Sequence, residues 1–122
     1  MPTLLQIATP HGTVAAELGD TDCARAIAAK LPYTAEANTW GEEIYFAIGV
    51  KMKLDKTAKT VVALGDIGYW PTGDAICFFF GQTPVSSPGE IRPASAVNIV
   101  GRILGDLNTL KKVADGERIV LT

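Results

Sequence analysis

The most informative segment of this chain is Gly65-Asp66-Ile67-Gly68-Tyr69-Trp70-Pro71-Thr72-Gly73-Asp74-Ala75-Ile76-Cys77-Phe78-Phe79-Phe80-Gly81. It contains two adjacent aromatic residues, Tyr69 and Trp70, then a turn rich in proline and glycine, and then the longest apolar run, Ala75 to Phe80. An apolar run of this kind is typical of a strand that is covered on both faces. The segment therefore predicts two strands joined by a turn, with the second strand fully buried.

Short strands are also predicted on either side of this segment. Residues 4–8 and 14–18 flank the turn Pro10-His11-Gly12, which predicts a hairpin. Apolar and polar residues alternate along 44–48 and 50–54, as in strands with one buried face. Further predicted strands are 61–64, 97–104 and 118–121.

Two helices interrupt the strands. Residues 20–22 offer capping oxygens before apolar residues at helical spacing, and Pro32 ends that run. Asp106 is the expected cap of a second helix, which ends at Gly116. Many short strands with two helices favour a mainly-β fold, a closed β-barrel, because the helices can cover its ends.

Composition and charge limit the functional classes. The 122 residues are 48% hydrophobic, which suits one domain, residues 1–122, with a core that needs no cofactor. The net charge of -2 gives no basic field, so no nucleic-acid partner and no membrane partner is expected. The start of the chain lacks a charged region before a long apolar stretch, which favours a cytoplasmic location.

The cysteines and the histidine do not predict a metal site or a nucleophilic site. Cys23 and Cys77 fall in different predicted elements without metal or redox spacing, which favours two buried thiols over a disulfide. His11 is the only histidine and lies in a tight turn, which argues against a catalytic triad or a histidine metal site. No metal and no cofactor is expected.

Paired carboxylates and two arginines are the other candidates for chemistry. Glu42 and Glu43 could supply a general acid or base if burial raised one pKa, although adjacent strand residues point apart, and a solvated pair is the alternative. Arg92 and Arg102 could each supply a fixed cation, with solvated or structural roles as the alternative. No complete catalytic set is recognisable.

Several segments resemble known sequences. Val97 to Val113 resembles the end of cyclophilins, in which a valine-rich strand, a Gly-Arg/Lys pair and a short helix ending in Lys-Lys follow in order. Thr9 to Leu18 is similar to the first cyclophilin hairpin. Gly41 to Phe46, with Gly65 to Pro71 and Phe79 to Pro84, resembles a family of small prokaryotic cyclophilin-like proteins without an established activity.

The resemblance implies an eight-stranded closed barrel capped by two helices. A cyclophilin prolyl isomerase would carry a Phe-His-Arg segment shortly after the first helix. The equivalent stretch here, Ile44-Tyr45-Phe46-Ala47-Ile48, has no arginine, and Asn98 lies where a histidine would be expected. The resemblance therefore predicts the fold without its catalytic residues.

A ligand-binding groove is the function that the sequence favours. Tyr69 and Trp70 could form a flat wall for a ligand, or a barrel rim, and neighbours on a strand point to opposite faces. The expected ligand is a small molecule or a short peptide, and a homodimer is compatible with an apolar rim. The alternatives are a prolyl isomerase with an altered active site, or an enzyme that acts on a small acid or amide through Glu43 and Asp66. The expected ligand-binding residues are Glu43, Tyr45, Tyr69, Trp70, Phe79, Gln82, Thr83 and Arg92.

Overall fold

The computed structural model describes residues 3–122. The elements, in chain order, are β1 (Thr3–Thr9), β2 (Gly12–Leu18), α1 (Asp22–Ala28), β3 (Tyr33–Glu36), β4 (Asn38–Thr39), β5 (Glu43–Ala47), β6 (Asp66–Trp70), β7 (Ala75–Phe79), β8 (Asn98–Ile103), α2 (Leu107–Lys111) and β9 (Arg118–Leu121). A 3-10 turn, Pro71–Gly73, joins β6 to β7. Within residues 3–122 the strands form one antiparallel sheet in the order β3-β9-β1-β2-β8-β6-β7-β5-β4.

The sheet curls into a nearly closed barrel, so the predicted mainly-β barrel with two helices is confirmed. β3 and β5 approach each other where the barrel would close, and a side chain joins them there. The Tyr33 hydroxyl donates to the Ala47 carbonyl at 2.9 Å, and the Tyr33 ring stacks on Phe46 with a centroid distance of 6.4 Å. The part of the chain described here has nine strands, whereas the resemblance implies eight. The short β3 and β4 were not predicted, and two predicted strands do not form.

Strand alternation divides the apolar residues into two clusters. Ile44, Phe46, Ile76 and Phe78 point into the barrel and join its main core. Their neighbours along β5 and β7 point outward, where Cys77 and Phe79 pack against Val62, Ile91 and Val97 in a second cluster. All of β7 is consequently buried, as its sequence predicts.

The helices begin at the predicted caps and cover the barrel. Thr21 Oγ1 accepts from Ala24 N at 3.1 Å at the start of α1, and Asp106 Oδ1 accepts from Asn108 N at 2.9 Å at the start of α2. Ile27 and Leu110 bury their side chains in the main core. These caps satisfy backbone donors that would otherwise lack a partner at each helix start.

Two predicted strands are absent from the sheet. Residues 50–54 are irregular because side chains take up their backbone groups: Tyr69 Oη accepts from Met52 N at 3.1 Å, and Asn98 Nδ2 donates to Lys53 O at 3.0 Å. Residues 61–64 make only a single bridge, between Val62 and Ile91. The sequence showed the apolar alternation in the first segment but could not show these side-chain partners.

Both cysteines are free thiols and both are buried, as predicted. Within residues 3–122, no cluster of three or more His, Cys, Asp or Glu side chains is arranged to hold a metal ion. The described helices are too short and too polar to cross a membrane.

Candidate binding pocket

A small pocket lies on the outer face of strands β5, β7 and β6. Residues 81–97, here called the covering segment, pass over that face, and the space left between them and the sheet is about 250 Å³. The pocket is lined by Trp40, Glu43, Tyr45, Trp70, Cys77, Pro93, Ala94 and Val97. Concave, mainly apolar sites with one or a few polar groups are the usual form of small-molecule sites.

Strand register explains why the sheet residues of the pocket meet. Tyr45 on β5 lies opposite Cys77 on β7, and Cys77 lies opposite Gly68 on β6. Residues two positions apart share a face, so Glu43 follows Tyr45 onto the outer face and Trp70 follows Gly68. The outward residues of three strands therefore line one pocket.

Gly68 makes room for the side of the pocket that Val97 supplies. A Cβ at position 68 would lie 2.8 Å from Val97 Cγ2 and 3.2 Å from Phe79 Cε2. Both distances are shorter than normal carbon contacts. The missing side chain therefore lets Val97 approach the sheet and seal the space beside the pocket.

Aromatic rings form the walls. The Tyr45 and Trp70 rings are 6.2 Å apart between centroids and nearly perpendicular, at 82°. Trp70 Nε1 donates to Ser95 Oγ at 2.6 Å, which ties this ring to the covering segment. Trp40 lies in the turn between β4 and β5, where its backbone N–H donates to Glu43 O at 3.0 Å. The rings thus come from three separate elements of the chain.

Glu43 is the chemically unusual residue of the pocket. Its side chain is buried, with 4% of the residue exposed, and its Oε1 atom has no hydrogen-bond partner. Burial raises the pKa of Glu43 to about 7, and a hydrogen bond with the Cys77 thiol opposes that rise more weakly. Burial, together with the neighbouring Glu43, also holds the pKa of Cys77 well above its usual range. Glu43 can therefore change protonation near neutral pH, while Cys77 stays a neutral thiol.

Among residues 3–122, no lysine, arginine or histidine side chain lines the pocket. Arg92 precedes the lining residue Pro93, but its guanidinium pairs with Glu90, with an Nη2–Oε2 distance of 3.2 Å. Arg102 is exposed on β8, outside the pocket. The pocket therefore contains a buried carboxyl group without a cation to balance it.

The predicted site residues divide into those that meet and those that do not. Glu43, Tyr45 and Trp70 line the same pocket. Tyr69 does not, because it points into the barrel, where its hydroxyl donates to Val50 O at 2.6 Å. Phe79 is fully buried in the second cluster. The structure therefore differs from the expected groove, which included Tyr69 as a wall.

The three predicted residues of the covering segment hold its shape. Gln82 Nε2 donates to Ser87 O at 3.0 Å, Thr83 Oγ1 donates to the Arg92 carbonyl, and Arg92 N donates to Ser86 Oγ at 2.9 Å. None of the three lines the pocket. Asp66 is also elsewhere, accepting from Ala63 N at 2.8 Å in a turn.

Sequence reasoning did not identify Trp40, Cys77 or the lining part of the covering segment as site residues. Trp40 could have been identified from the sequence, because it lies next to Gly41, a turn residue, and three positions before Glu43. A hairpin turn at this point brings residues on its two sides close together. Gly41 has φ of +61°, and a Cβ there would lie 2.9 Å from atoms of Gln82, Thr83 and Pro84. Pro93 and Val97 had no such signal, because only the path of the covering segment brings them over the sheet.

The architecture defines residues 3–122 as an antiparallel β-barrel with a lateral pocket. Among known proteins, a family model described as Cyclophilin-like matches residues 3–122. The chain therefore belongs to the cyclophilin-like family.

A solved relative supports the same assignment. The solution structure of the hypothetical protein AF2241 from Archaeoglobus fulgidus is 45% identical, covers 98% of this chain and 93% of that chain, and superposes with a TM-score of 0.80. No curated protein matches the chain. The family thus defines the fold, and the pocket is the feature of the structure that bears on function.

Proposed function

We propose that this protein binds a small organic molecule in the pocket over β5, β7 and β6. The observation that carries the proposal is the combination of aromatic walls with one buried, unpartnered carboxyl oxygen, that of Glu43. Buried polar atoms in native proteins nearly always have a partner, and a polar ligand group bound beside the Glu43 carboxyl would supply one. The volume of about 250 Å³ suits a ligand smaller than a typical drug.

A small molecule is favoured over the short peptide that the sequence also allowed. A peptide needs an extended groove or an exposed sheet edge that can pair with it. The covering segment closes over β5, β7 and β6, where Phe79 on the sheet and Val97 of the segment itself are both fully buried. The resulting space is a compact pocket, which supports binding of a compact ligand.

The two enzymatic alternatives receive less support. A prolyl isomerase would need a fixed cation or donor near the proline nitrogen, and Arg92, the arginine beside the pocket along the chain, is paired with Glu90. An enzyme acting on an acid or amide would need a second acid or base that reaches the substrate together with Glu43. Asp66, the other proposed carboxylate, lies in a separate turn.

Intrinsic fluorescence tests the proposal directly. The chain has two tryptophans, and both line the pocket. We expect a saturable change in tryptophan emission with at least one of three probes of matched shape: choline, 3,3-dimethyl-1-butanol and 3,3-dimethylbutyrate. The three probes are cationic, neutral and anionic, respectively.

A blocking variant localises the response. Ala94 is an exposed lining residue, so Ala94→Phe should fill the pocket mouth without disturbing the core and weaken the response at least tenfold. Ala114→Phe, at an exposed position before β9, is the matched control and should leave binding unchanged. An emission change that persists in Ala94→Phe, or no saturable change with any probe, would contradict the proposal.

A further inference from the structure

We infer that the ligand carries a positively charged alkylammonium group, held between the aromatic walls and the Glu43 carboxylate. The inference rests on the proposed function, because it names the chemical class of the ligand for the same pocket. Three features of the pocket support it: the faces of the rings, the charge of the lining and the size of the space.

The ring arrangement suits a cation. The face of an aromatic ring carries negative electrostatic potential, and an ammonium group within about 6 Å of the ring centre is attracted to it. Tyr45 and Trp70 meet at 82°, so they form two adjacent walls rather than a parallel stack. Trp40 adds a ring from the β4–β5 turn. Several ring surfaces around one small space are the arrangement by which proteins recognise alkylated ammonium groups.

The charge of the lining points the same way. Glu43 is the one acidic side chain that lines the pocket, and no lysine, arginine or histidine among residues 3–122 lines it. Desolvating a carboxylate is costly unless an opposite charge or hydrogen-bond donors compensate. A cationic ligand would supply that compensation from outside the chain. Arg92 does not supply it, because Glu90 holds its guanidinium through both Nε and Nη2 at 3.2 Å.

Other ligand classes fit less well. An anionic ligand would place a second negative charge beside Glu43 and over the negative faces of the rings, without a cation to offset either. A neutral hydrocarbon would offer no partner to the Glu43 carboxyl, whose Oε1 atom has none within the protein. An alkylammonium group offers the carboxylate an opposite charge, with an N–H donor as well unless the nitrogen is quaternary, and it offers the ring faces a cation.

The volume limits the size of the ligand. A space of about 250 Å³ lies below the usual range of roughly 300–1,000 Å³ for drug-sized ligands. A small tertiary or quaternary ammonium compound such as choline is therefore a suitable probe. Its carbon analogue, 3,3-dimethyl-1-butanol, has the same shape without the charge and serves as the matched neutral probe.

The first experiment compares these two probes by tryptophan fluorescence. We expect choline to bind at least tenfold more tightly than 3,3-dimethyl-1-butanol, since only choline gains cation–π attraction and charge pairing. If the neutral alcohol or the anionic 3,3-dimethylbutyrate binds as tightly as choline or more tightly, the inference is wrong and the proposed function survives. If none of the three binds, both are overturned.

Variants then assign the contacts. Glu43→Gln should weaken choline at least tenfold and leave the neutral alcohol nearly unchanged, whereas Glu42→Gln is the matched control, because Glu42 points away from the pocket toward Lys111 at 3.6 Å. Tyr45→Leu should weaken choline while Tyr45→Phe keeps its affinity, because only the first removes a ring face. Equal choline affinity in Glu43→Gln and the parent protein would overturn the role of the carboxylate.

The pH dependence gives a readout that a merely structural role of Glu43 would not produce. The other titratable groups that line the pocket are Cys77 on β7 and Tyr45 on β5, and the lining residues of the covering segment add none. With the pKa of Glu43 near 7, its ionised fraction rises about tenfold from pH 6 to pH 8. Choline affinity should rise by a similar factor and become flat in Glu43→Gln. Affinity that is independent of pH in the parent protein would overturn the inference.

The same ammonium chemistry can reach the pocket on a free small molecule or on a methylated lysine side chain. An Nα-acetyl trimethyllysine amide separates these sources in the fluorescence assay. Choline binding as tightly as this amide, or more tightly, supports a free ligand, as the compact pocket predicts. Tighter binding of the amide supports the ammonium chemistry with a protein side chain as its source.

Discussion

Burial changes the protonation of Glu43 across a pH range in which folding is commonly measured. The pKa of Glu43 rises from an ordinary value of 4.5 to about 7, chiefly because burial disfavours the charged form. Between these values the native state holds a proton that the unfolded chain releases. The free energy of unfolding should therefore fall as pH rises through this window, by roughly 3 kcal/mol in total.

Glu43→Gln tests this effect, because glutamine is close in shape to protonated glutamate and does not ionise. We expect the variant to match the parent protein near pH 4.5 and to be more stable by up to roughly 3 kcal/mol at pH 8. Urea denaturation at the two pH values measures the difference. Glu42→Gln, at the neighbouring partly exposed position, should not show it. A pH-independent difference between Glu43→Gln and the parent would contradict the assigned pKa.

The Tyr69-Trp70 pair shows which side-chain orientations two adjacent strand residues predict and which they leave open. Alternation on a strand predicts that one ring is core and the other faces outward, and the structure agrees. Tyr69 is fully buried and Trp70 is partly exposed. Which of the two points inward depends on the register of β6 against β7 and β8, which the pair itself does not encode. The partner Val50 carbonyl, which accepts from the Tyr69 hydroxyl, belongs to a distant loop.

At the scale of elements, β6 and the end of the covering segment depend on each other. Gly68→Ala should place a methyl group within about 2.8 Å of Val97 Cγ2, which forces one of the two elements to move. We expect a loss of roughly 1–3 kcal/mol in the free energy of unfolding and weaker probe binding. Denaturant unfolding and the fluorescence titration measure these two effects.

A double-mutant cycle supplies the control for this contact. Val97→Ala removes the methyl groups that the new side chain would meet, so the double variant Gly68→Ala/Val97→Ala should be more stable than the sum of the two single effects predicts. Strict additivity would show that the cost at position 68 has another origin. The cycle thus separates steric contact from a general weakening of β6.

The predictable elements were those whose own residues determine them. The hairpin of β1 and β2, the buried β7 and both helix caps follow from local turn, apolar and capping residues. β3 was missed because Thr34 and Glu36 are exposed, and its partner β9 is far along the chain. Residues 50–54 have a strand-like pattern, yet Asn98 and Tyr69 bind their backbone groups.

At the scale of the whole molecule, a tyrosine side chain joins the two strands that meet at the seam of the barrel. β3 and β5 are not neighbours in the hydrogen-bonded sheet order, and the Tyr33 hydroxyl bridges them by donating to Ala47 O at 2.9 Å. Tyr33→Phe should keep the stacking on Phe46 and lose this bond, with a cost of about 0.5–1.5 kcal/mol. Amide hydrogen exchange should then accelerate in β3 more than in β1 and β2.

Tyr45→Phe is the matched control for the seam, because it removes the same hydroxyl from β5 on the face of the pocket. It should leave exchange in β3 unchanged. Uniformly faster exchange in Tyr33→Phe would indicate a global loss of stability, and unchanged exchange in β3 would show that the ladder between β3 and β9 alone fixes this edge.

The pocket was predictable only in part, for a reason that concerns the whole chain. Tyr45 and Trp70 come from predicted strands, Glu43 directly precedes one, and all three were among the candidate residues. The roof over them comes from the path of residues 81–97, whose hydrogen bonds are mostly local turns, such as Ser86 N to Thr83 O at 3.0 Å. Local turns do not reveal which surface a long loop will cover.

The strand β7, buried on both faces, has a consequence for how such a protein can diversify. Alternate residues of one five-residue strand belong to the barrel core and to the cluster beneath the pocket. A change there would alter both the folding of the barrel and the base of the proposed binding pocket, so few substitutions are permissible. Exposed positions of the covering segment such as Ala94 are freer. New ligand specificities would therefore arise mainly in that loop, while the strand beneath it is inherited nearly intact.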